Sequence, residues 1–200
     1  MLYEEQLQLI HDFHEKYKSK IYFSNIKDNL GKNLESDKVD LRRLKKHCQE
    51  EPIKTCVTRA ELCLKLAEEA NYMELIKRSM DRKEICMDKA MFMDAKYNIV
   101  VDKPNSDKFC YDMVEFDAVK YLYYLRKKGL ALDWQEMISL YCKIEGLNKD
   151  SETFIAAMVS YPRHTIKFFA RIINNDTNFS EAEYERELGR AMKKDKGSLI

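Results

Sequence analysis

The segment covering residues 97–117 constrains the fold most, because it is the clearest β-forming stretch in a chain that otherwise favours helices. Its two arms, residues 97–102 and 109–117, are rich in β-branched and aromatic side chains. A Pro-Asn-Ser-Asp cluster at residues 104–107 separates them, and such residues favour turns. The pattern predicts one β-hairpin spanning residues 97–117.

The remainder of the chain is typical of helices. Only five Gly and three Pro occur in 200 residues, so few positions interrupt a helix. Predicted helices begin at capping residues such as Asp133 and Ser180 and end at glycines such as Gly129 and Gly146. The sequence therefore predicts a mainly α fold with one β-hairpin. We expect residues 1–200 to form a single domain, with fraying over residues 194–200.

Composition argues against a membrane protein and against a general nucleic-acid-binding surface. The 35 Lys and Arg residues nearly balance the 34 Asp and Glu residues. The longest apolar runs, such as residues 155–159, are too short to span a bilayer, and the N-terminus lacks a basic region followed by an apolar one. The six cysteines contain no Cys-x-x-Cys pair, which favours reduced, buried thiols. We therefore expect a cytoplasmic protein without a membrane anchor.

Several short strings, in their order along the chain, resemble the spore-coat kinase-like family of CotS type, whose fold is that of aminoglycoside and choline phosphotransferases. The strings are Leu-Ile-His-Asp-Phe-His at 9–14, Asn-Leu-Gly-Lys at 29–32, the basic run at 41–46, Asn-Tyr-Met-Glu-Leu at 71–75, Arg-Lys-Glu-Ile-Cys at 82–86, Val-Glu-Phe-Asp at 114–117, Leu-Arg-Lys at 125–127 and Tyr-Pro at 161–162. The resemblance covers most of the chain. It implies a protein kinase-like C-terminal lobe and a spore-coat context.

The chain departs from that family where its chemistry lies. Active members carry His-Gly-Asp-x-x-x-x-Asn, in which Asp acts as the base and Asn helps to bind magnesium. Counted from Cys86, the first three places hold residues 87–89 (Met-Asp-Lys); counted back from Asn98, they hold residues 91–93 (Met-Phe-Met). Neither alignment retains the base, and the chain contains no Gly-rich loop or Val-Ala-x-Lys strand of a nucleotide-binding lobe. We expect no catalysis, no catalytic residues and no cofactor.

A vestigial metal site is the remaining chemical candidate. The resemblance implies that Glu115 occupies the place of a magnesium-binding Asp, and Asp117 would lie on the same side of an extended strand. With Asn98, these side chains offer the hard oxygen ligands that magnesium takes. Polar ends of a solvent-exposed hairpin explain the same three residues. His11 and His14, three residues apart on a predicted helix, are expected to pack at the edge of the core.

These observations predict a non-catalytic, kinase-like binding or structural protein, in other words a pseudokinase C-terminal lobe. Without a nucleotide lobe, apolar side chains near the first helix and residues 87–93 would face water. We therefore expect a protein partner or self-association through Phe13 and Phe92. Two alternatives stay open: one half of a split or truncated small-molecule phosphotransferase completed by another chain, and a helical adaptor that meets nucleic acid through its basic helix.

Overall fold

The computed structural model describes residues 3–18, 26–47, 51–101, 108–174 and 179–200. The helices are α1 (Tyr3–Tyr17), α2 (Lys32–His47), α3 (Ile53–Glu69), α4 (Tyr72–Arg82), α5 (Glu115–Lys127), α6 (Trp134–Glu145), α7 (Lys149–Ser160), α8 (Arg163–Ile173) and α9 (Glu181–Lys194). The strands are β1 (Lys27–Asp28), β2 (Ile85–Cys86), β3 (Met91–Met93), β4 (Ile99–Val101) and β5 (Cys110–Tyr111). The predicted mainly α fold is confirmed. Within the described ranges, no helix is both long and apolar enough to cross a membrane.

Local sequence signals fix several helix ends. The Asp133 side chain accepts a hydrogen bond from the backbone N–H of Glu136 at the start of α6. Ser180 and Glu183 form a complete capping box at the start of α9. Gly146 ends α6 with a φ of 66°, a left-handed conformation that glycine adopts without steric cost. These ends agree with the predictions from sequence.

Helix α7 lies at the centre of the fold. It packs against α3, α4, α5 and α6, and its apolar run at residues 155–159 is buried. A helix that is apolar around much of its circumference must be covered on several sides. The run that is too short for a membrane span is therefore the central packing surface of the domain.

The β-hairpin lies elsewhere than predicted. Strand β4, from the first predicted arm, pairs in antiparallel fashion with β3, with Phe92 opposite Val100. Asp94 closes the turn between them, because its Oδ1 accepts hydrogen bonds from the backbone N–H groups of Lys96 and Asn98. The observed hairpin therefore spans residues 91–101, and the predicted turn at 104–107 lies outside the described residues.

The second predicted arm forms a different structure. Strand β5 pairs with β2 in antiparallel and with β1 in parallel orientation, so it belongs to a separate three-stranded sheet. The chain then enters α5, where Ala118, Leu122 and Leu125 are buried at helical spacing. Glu115 and Asp117 consequently lie in the first turn of a helix and not at the end of a strand. The hairpin prediction for residues 109–117 is wrong, because β5 pairs with β1 and β2 and because helical periodicity overrides β propensity from Glu115 onward.

The C-terminal segment makes specific contacts in the region where fraying was expected. Arg59 Nη1 donates to the carbonyl oxygen of Asp195 at 2.7 Å, and Arg126 Nη1 donates to that of Gly197 at 2.7 Å. The backbone N–H of Leu199 donates to Ser160 Oγ at 2.8 Å. These bonds hold residues 195–199 against α3, α5 and α7.

Candidate functional site

Glu115, a predicted metal ligand, is completely buried and paired with a cation. Arg78 of α4 donates from Nη1 to Oε1 at 2.7 Å and from Nη2 to Oε2 at 2.6 Å. Ser151 Oγ of α7 donates to Oε1 at 2.6 Å. Burial disfavours the charge on Arg78, but hydrogen bonds and charges of Glu115 and Glu84 outweigh it and raise the pKa of Arg78. Both oxygens of Glu115 are therefore engaged in joining three helices.

Asp117 is buried beside His14 of α1. His14 Nε2 lies 3.0 Å from Asp117 Oδ2, and His14 Nδ1 lies 2.6 Å from Glu145 Oε1 of α6. The backbone N–H of Met87 donates to the same Oδ2 at 2.8 Å. Burial lowers the pKa of His14, but hydrogen bonds and charges of Asp117 and Glu145 outweigh that effect and raise it to about 9. At neutral pH, His14 is therefore an imidazolium that donates to a carboxylate on each side.

We call this group, consisting of Glu115, Asp117, Glu145, Arg78 and His14, the acid hub. Each of its three carboxylates has a cationic partner, as buried charges require. Its members join α1, α4, α5 and α6, and the hydrogen bond from Ser151 to Glu115 connects them to α7.

Asn98 forms its side-chain hydrogen bond outside the hub. Its Nδ2 donates to Asp94 Oδ2 at 3.0 Å in the turn between β3 and β4. Among the described residues, no hydrogen bond joins Asn98 to Glu115 or Asp117. The structure thus gives each of the three predicted metal ligands its own protein partners.

The two predicted interface residues have different environments. Phe13 is 6% exposed, and its ring centroid lies 4.7 Å from that of Tyr17 and 5.0 Å from that of Phe109. Phe92 is 51% exposed and Val100, opposite it on β4, is 49% exposed. Phe13 therefore belongs to the core, and only Phe92 lies on a surface where another chain has access to it.

A cleft of about 280 Å³ lies beside α5, next to the hub. One wall comes from α5, where Phe116, Lys120, Tyr123, Tyr124 and Lys127 follow helical spacing. The remaining walls include residues of β2, β3 and β5 and the segments after β2 and β5. The volume is close to the lower end of the range for small-molecule sites, which starts at about 300 Å³.

Charge varies along the cleft because α5 runs beside it. Asp117 and Lys127 are separated by ten residues of α5, which corresponds to roughly 15 Å. Asp88 and Asp112 accompany the acidic start of α5. At the other end, Lys127 Nζ lies 4.8 Å from the ring centroid of Tyr124. Burial, and then the charges of nearby lysines, lower the pKa of Lys127.

Asp112 is the carboxylate that sequence reasoning missed. It is buried in the cleft wall, where Oδ2 accepts from Asn33 Nδ2 at 2.7 Å and Oδ1 accepts from the backbone N–H of Met113 at 2.9 Å. Burial, followed by the charges of Asp117 and Asp88, outweighs these bonds and raises the pKa of Asp112 to about 8. It can therefore gain or lose a proton near neutral pH, as an acid or a base in a binding site does.

Asp88 also lines the cleft. It follows Met87, whose backbone N–H donates a hydrogen bond to Asp117. It has a φ of 39°, an uncommon left-handed conformation for a non-glycine residue, and its carbonyl oxygen accepts a hydrogen bond from Lys120 Nζ. Met93, five residues later, lines the same cleft. Both residues lie in the segment 87–93 that was expected to face a partner, and neither was predicted to line a ligand site.

Comparison with known proteins does not identify a family: no protein-family model matches the chain, and no curated protein sequence matches it.

Proposed function

We propose that this chain is a non-catalytic, kinase C-lobe-like binding protein whose ligand site is the cleft beside α5. The observation that supports the proposal is that both carboxylate oxygens of Glu115 are hydrogen-bonded within the protein. A magnesium ion at the place implied by the family resemblance would need its carboxylate oxygens. Both oxygens already accept hydrogen bonds, from Arg78 and Ser151, inside the protein.

The cleft fits a polar organic molecule with different groups at its two ends. Asp88 suits an amine or hydroxyl group, Asp112 suits a hydroxyl group, and Lys127 at the other end suits an anionic group such as phosphate. Phe116, like the tyrosines of α5, offers an aromatic surface between these ends. An amino-sugar phosphate has all three properties, so we take this class as the ligand.

Calorimetry with glucosamine 6-phosphate at pH 7 tests this assignment. We expect a dissociation constant below ~1 mM. Glucosamine lacks the phosphate and glucose 6-phosphate lacks the amine, so each should bind about tenfold more weakly or worse, a loss of ~1.4 kcal/mol. Lys127→Ala should remove the advantage of the phosphate, and Asp88→Asn should remove that of the amine. Lys143→Ala, an exposed substitution on α6, is the matched control.

The absence of measurable heat from all three probes at millimolar concentration would overturn the ligand assignment. Equal binding of the three probes would contradict the proposal that one end of the cleft binds an amine and the other end binds a phosphate.

Partner binding is part of the same proposal, at the exposed pair formed by Phe92 and Val100. Exposed apolar side chains next to each other are typical of contact surfaces. Light scattering at high protein concentration should show an oligomer that Phe92→Ser reduces and Met73→Ser, an exposed substitution on α4, does not. A monomeric wild-type protein would argue against self-association. Detection of the chain in purified spore coats would test the context implied by the resemblance.

One half of a split phosphotransferase is the second candidate, and the position of Asp88 favours it. Aligning His-Gly-Asp on residues 86–88 retains the Asp, and this Asp lines the cleft. The place of the magnesium-binding Asn then holds Met93, which supplies no oxygen ligand. Binding of magnesium and ATP separates the two candidates.

A further inference from the structure

Three side chains from distant parts of the sequence converge beside the cleft. His14 comes from α1, Cys86 from the end of β2 and Asp117 from the first turn of α5, and all three are buried. One potential ligand atom from each lies within 4.8 Å of the other two. Imidazole nitrogen, thiolate sulfur and carboxylate oxygen are the ligands that zinc takes in proteins. We propose that His14, Cys86 and Asp117 bind a zinc ion in the wall of the cleft.

The groups around these side chains already have the arrangement that a zinc site needs. Glu145 Oε1 lies 2.6 Å from His14 Nδ1 and so directs the other ring nitrogen, Nε2, toward Asp117. A carboxylate on the second nitrogen of a metal-binding histidine fixes the ring and raises its basicity. The backbone N–H of Met87 holds Asp117 Oδ2, and among the described residues Asp117 Oδ1 receives no hydrogen bond. That oxygen is available to a metal.

Charge is balanced in the presence and in the absence of the ion. Without metal, the imidazolium of His14 offsets the carboxylate of Asp117, and Cys86 is a neutral thiol that donates to the carbonyl oxygen of Met113. When zinc enters, the Nε2 proton and the Sγ proton leave for solvent, and the ion is held by a neutral imidazole, a thiolate and a carboxylate. The net charge of the site is zero in both states. Two protons are thus exchanged for one divalent ion.

The position of the site also provides access. Cys86 and Asp117 both line the cleft, so an ion can reach them from solvent. Three protein ligands leave the fourth tetrahedral position of zinc for water or for a group of a cleft ligand. This inference goes beyond the proposed ligand of the cleft and does not depend on it.

Cobalt and zinc titrations of chelator-treated full-length protein test the proposal. We expect one cobalt ion per chain and a sulfur-to-cobalt charge-transfer band, which reports a bound thiolate directly. Zinc should displace the cobalt, and calorimetry in buffers of different ionisation enthalpy should show release of about two protons per zinc. Loss of roughly tenfold to 100-fold in zinc affinity is expected for Glu145→Gln, which retains all three ligands.

Two cysteine variants test whether the ion binds at the proposed site. Cys86→Ser should abolish the charge-transfer band, whereas Cys63→Ser, a buried cysteine of α3 outside the cluster, should retain it with unchanged affinity. Absence of stoichiometric cobalt or zinc binding by the wild-type protein would overturn the proposal, and so would a band that persists in Cys86→Ser. Since the wild-type titration and Glu145→Gln leave the ligands in place, the test stands even where Cys86→Ser fails to fold.

Discussion

The acid hub and the cleft both place carboxylates near the first turn of α5, but their partners differ. In the hub, Glu115 bonds to Arg78, and Asp117 bonds to His14. In the cleft, the donors to Asp112 among the described residues are neutral, and the charges of Asp117 and Asp88 help to raise its pKa to about 8. Paired carboxylates stabilise the arrangement of the helices, whereas a carboxylate with neutral donors and acidic neighbours keeps a proton available for a ligand.

Removal of the cation of the hub is expected to have the largest effect. Arg78→Ala leaves Glu115 buried without its cationic partner, which should lower the free energy of unfolding by about 3 to 5 kcal/mol. Urea denaturation at pH 7 measures this difference. Arg82→Ala is the matched control, because Arg82 is largely exposed and lies 4.0 Å from Glu84. It should change the free energy by less than ~1 kcal/mol.

Equal losses for the two arginine variants would show that the buried ion pair of the hub contributes no more to stability than an exposed arginine does. Asp112→Asn tests the contrast between hub and cleft at the carboxylate of the cleft. The amide is neutral and similar in shape, and the wild-type carboxylate is already resistant to ionisation. An amide oxygen can accept one of the two hydrogen bonds that Asp112 receives, so this variant should lose less free energy of unfolding at pH 8 than Arg78→Ala does.

The pH dependence of the hub is expected to be the next largest effect. The folded pKa of His14, about 9, exceeds the ordinary value of 6.5, so its contribution is fully present below pH 6.5 and is lost as pH rises through about 9. A shift of this size corresponds to roughly 3 kcal/mol. The difference in unfolding free energy between wild type and His14→Gln, measured in chelator, should therefore shrink across this window.

A difference that stays constant from pH 6 to pH 10 would show that His14 is not charged between Asp117 and Glu145. Among the described residues, those two carboxylates bond to it, the buried thiol of Cys86 lies nearby, and Glu15, Lys18, Arg82 and Glu84 line the same small cavity. Burial, together with nearby acidic groups, raises the pKa of Cys86 and so disfavours its thiolate form.

Local features of the fold were predictable and long-range ones were not. The caps at Asp133 and Ser180 and the glycine end at Gly146 depend on residues within four positions, so the sequence pattern is sufficient. The strand propensity of residues 99–101 was also recognised. Its partner, β3, was not, because Met91–Met93 has no alternation that distinguishes a strand from a core segment.

The same limit applies to the candidate site. His14 lies 103 residues from Asp117 and 131 residues from Glu145, and Arg78 lies 37 residues from Glu115. Residues so far apart in the sequence cannot be recognised as ion pairs from local spacing. The cationic partners of Glu115 and Asp117 were therefore not predicted, and the two residues were interpreted as metal ligands. The cleft carboxylate Asp112 follows a two-residue strand and has no sequence motif of its own.

The smallest effect is expected for magnesium and ATP. The engaged oxygens of Glu115 leave no site for the ion at the predicted position, and Met93 offers no oxygen in the cleft. Magnesium should therefore leave the melting temperature of wild type unchanged, and calorimetry should detect no micromolar binding of magnesium-ATP, which would require ~8 kcal/mol. The purified chain should not hydrolyse ATP.

If magnesium does stabilise the protein, three variants identify the region where the ion binds. Asn98→Ala tests the remaining predicted ligand, Glu115→Gln tests the hub, and Asp88→Asn tests the cleft. A ligand that binds only the folded state raises the melting temperature. Magnesium-dependent stabilisation that Asp88→Asn removes and Glu115→Gln retains would place the ion in the cleft and favour the split phosphotransferase. Stabilisation that Glu115→Gln removes would instead show that magnesium displaces Arg78, and the contrast between paired and available carboxylates would be wrong.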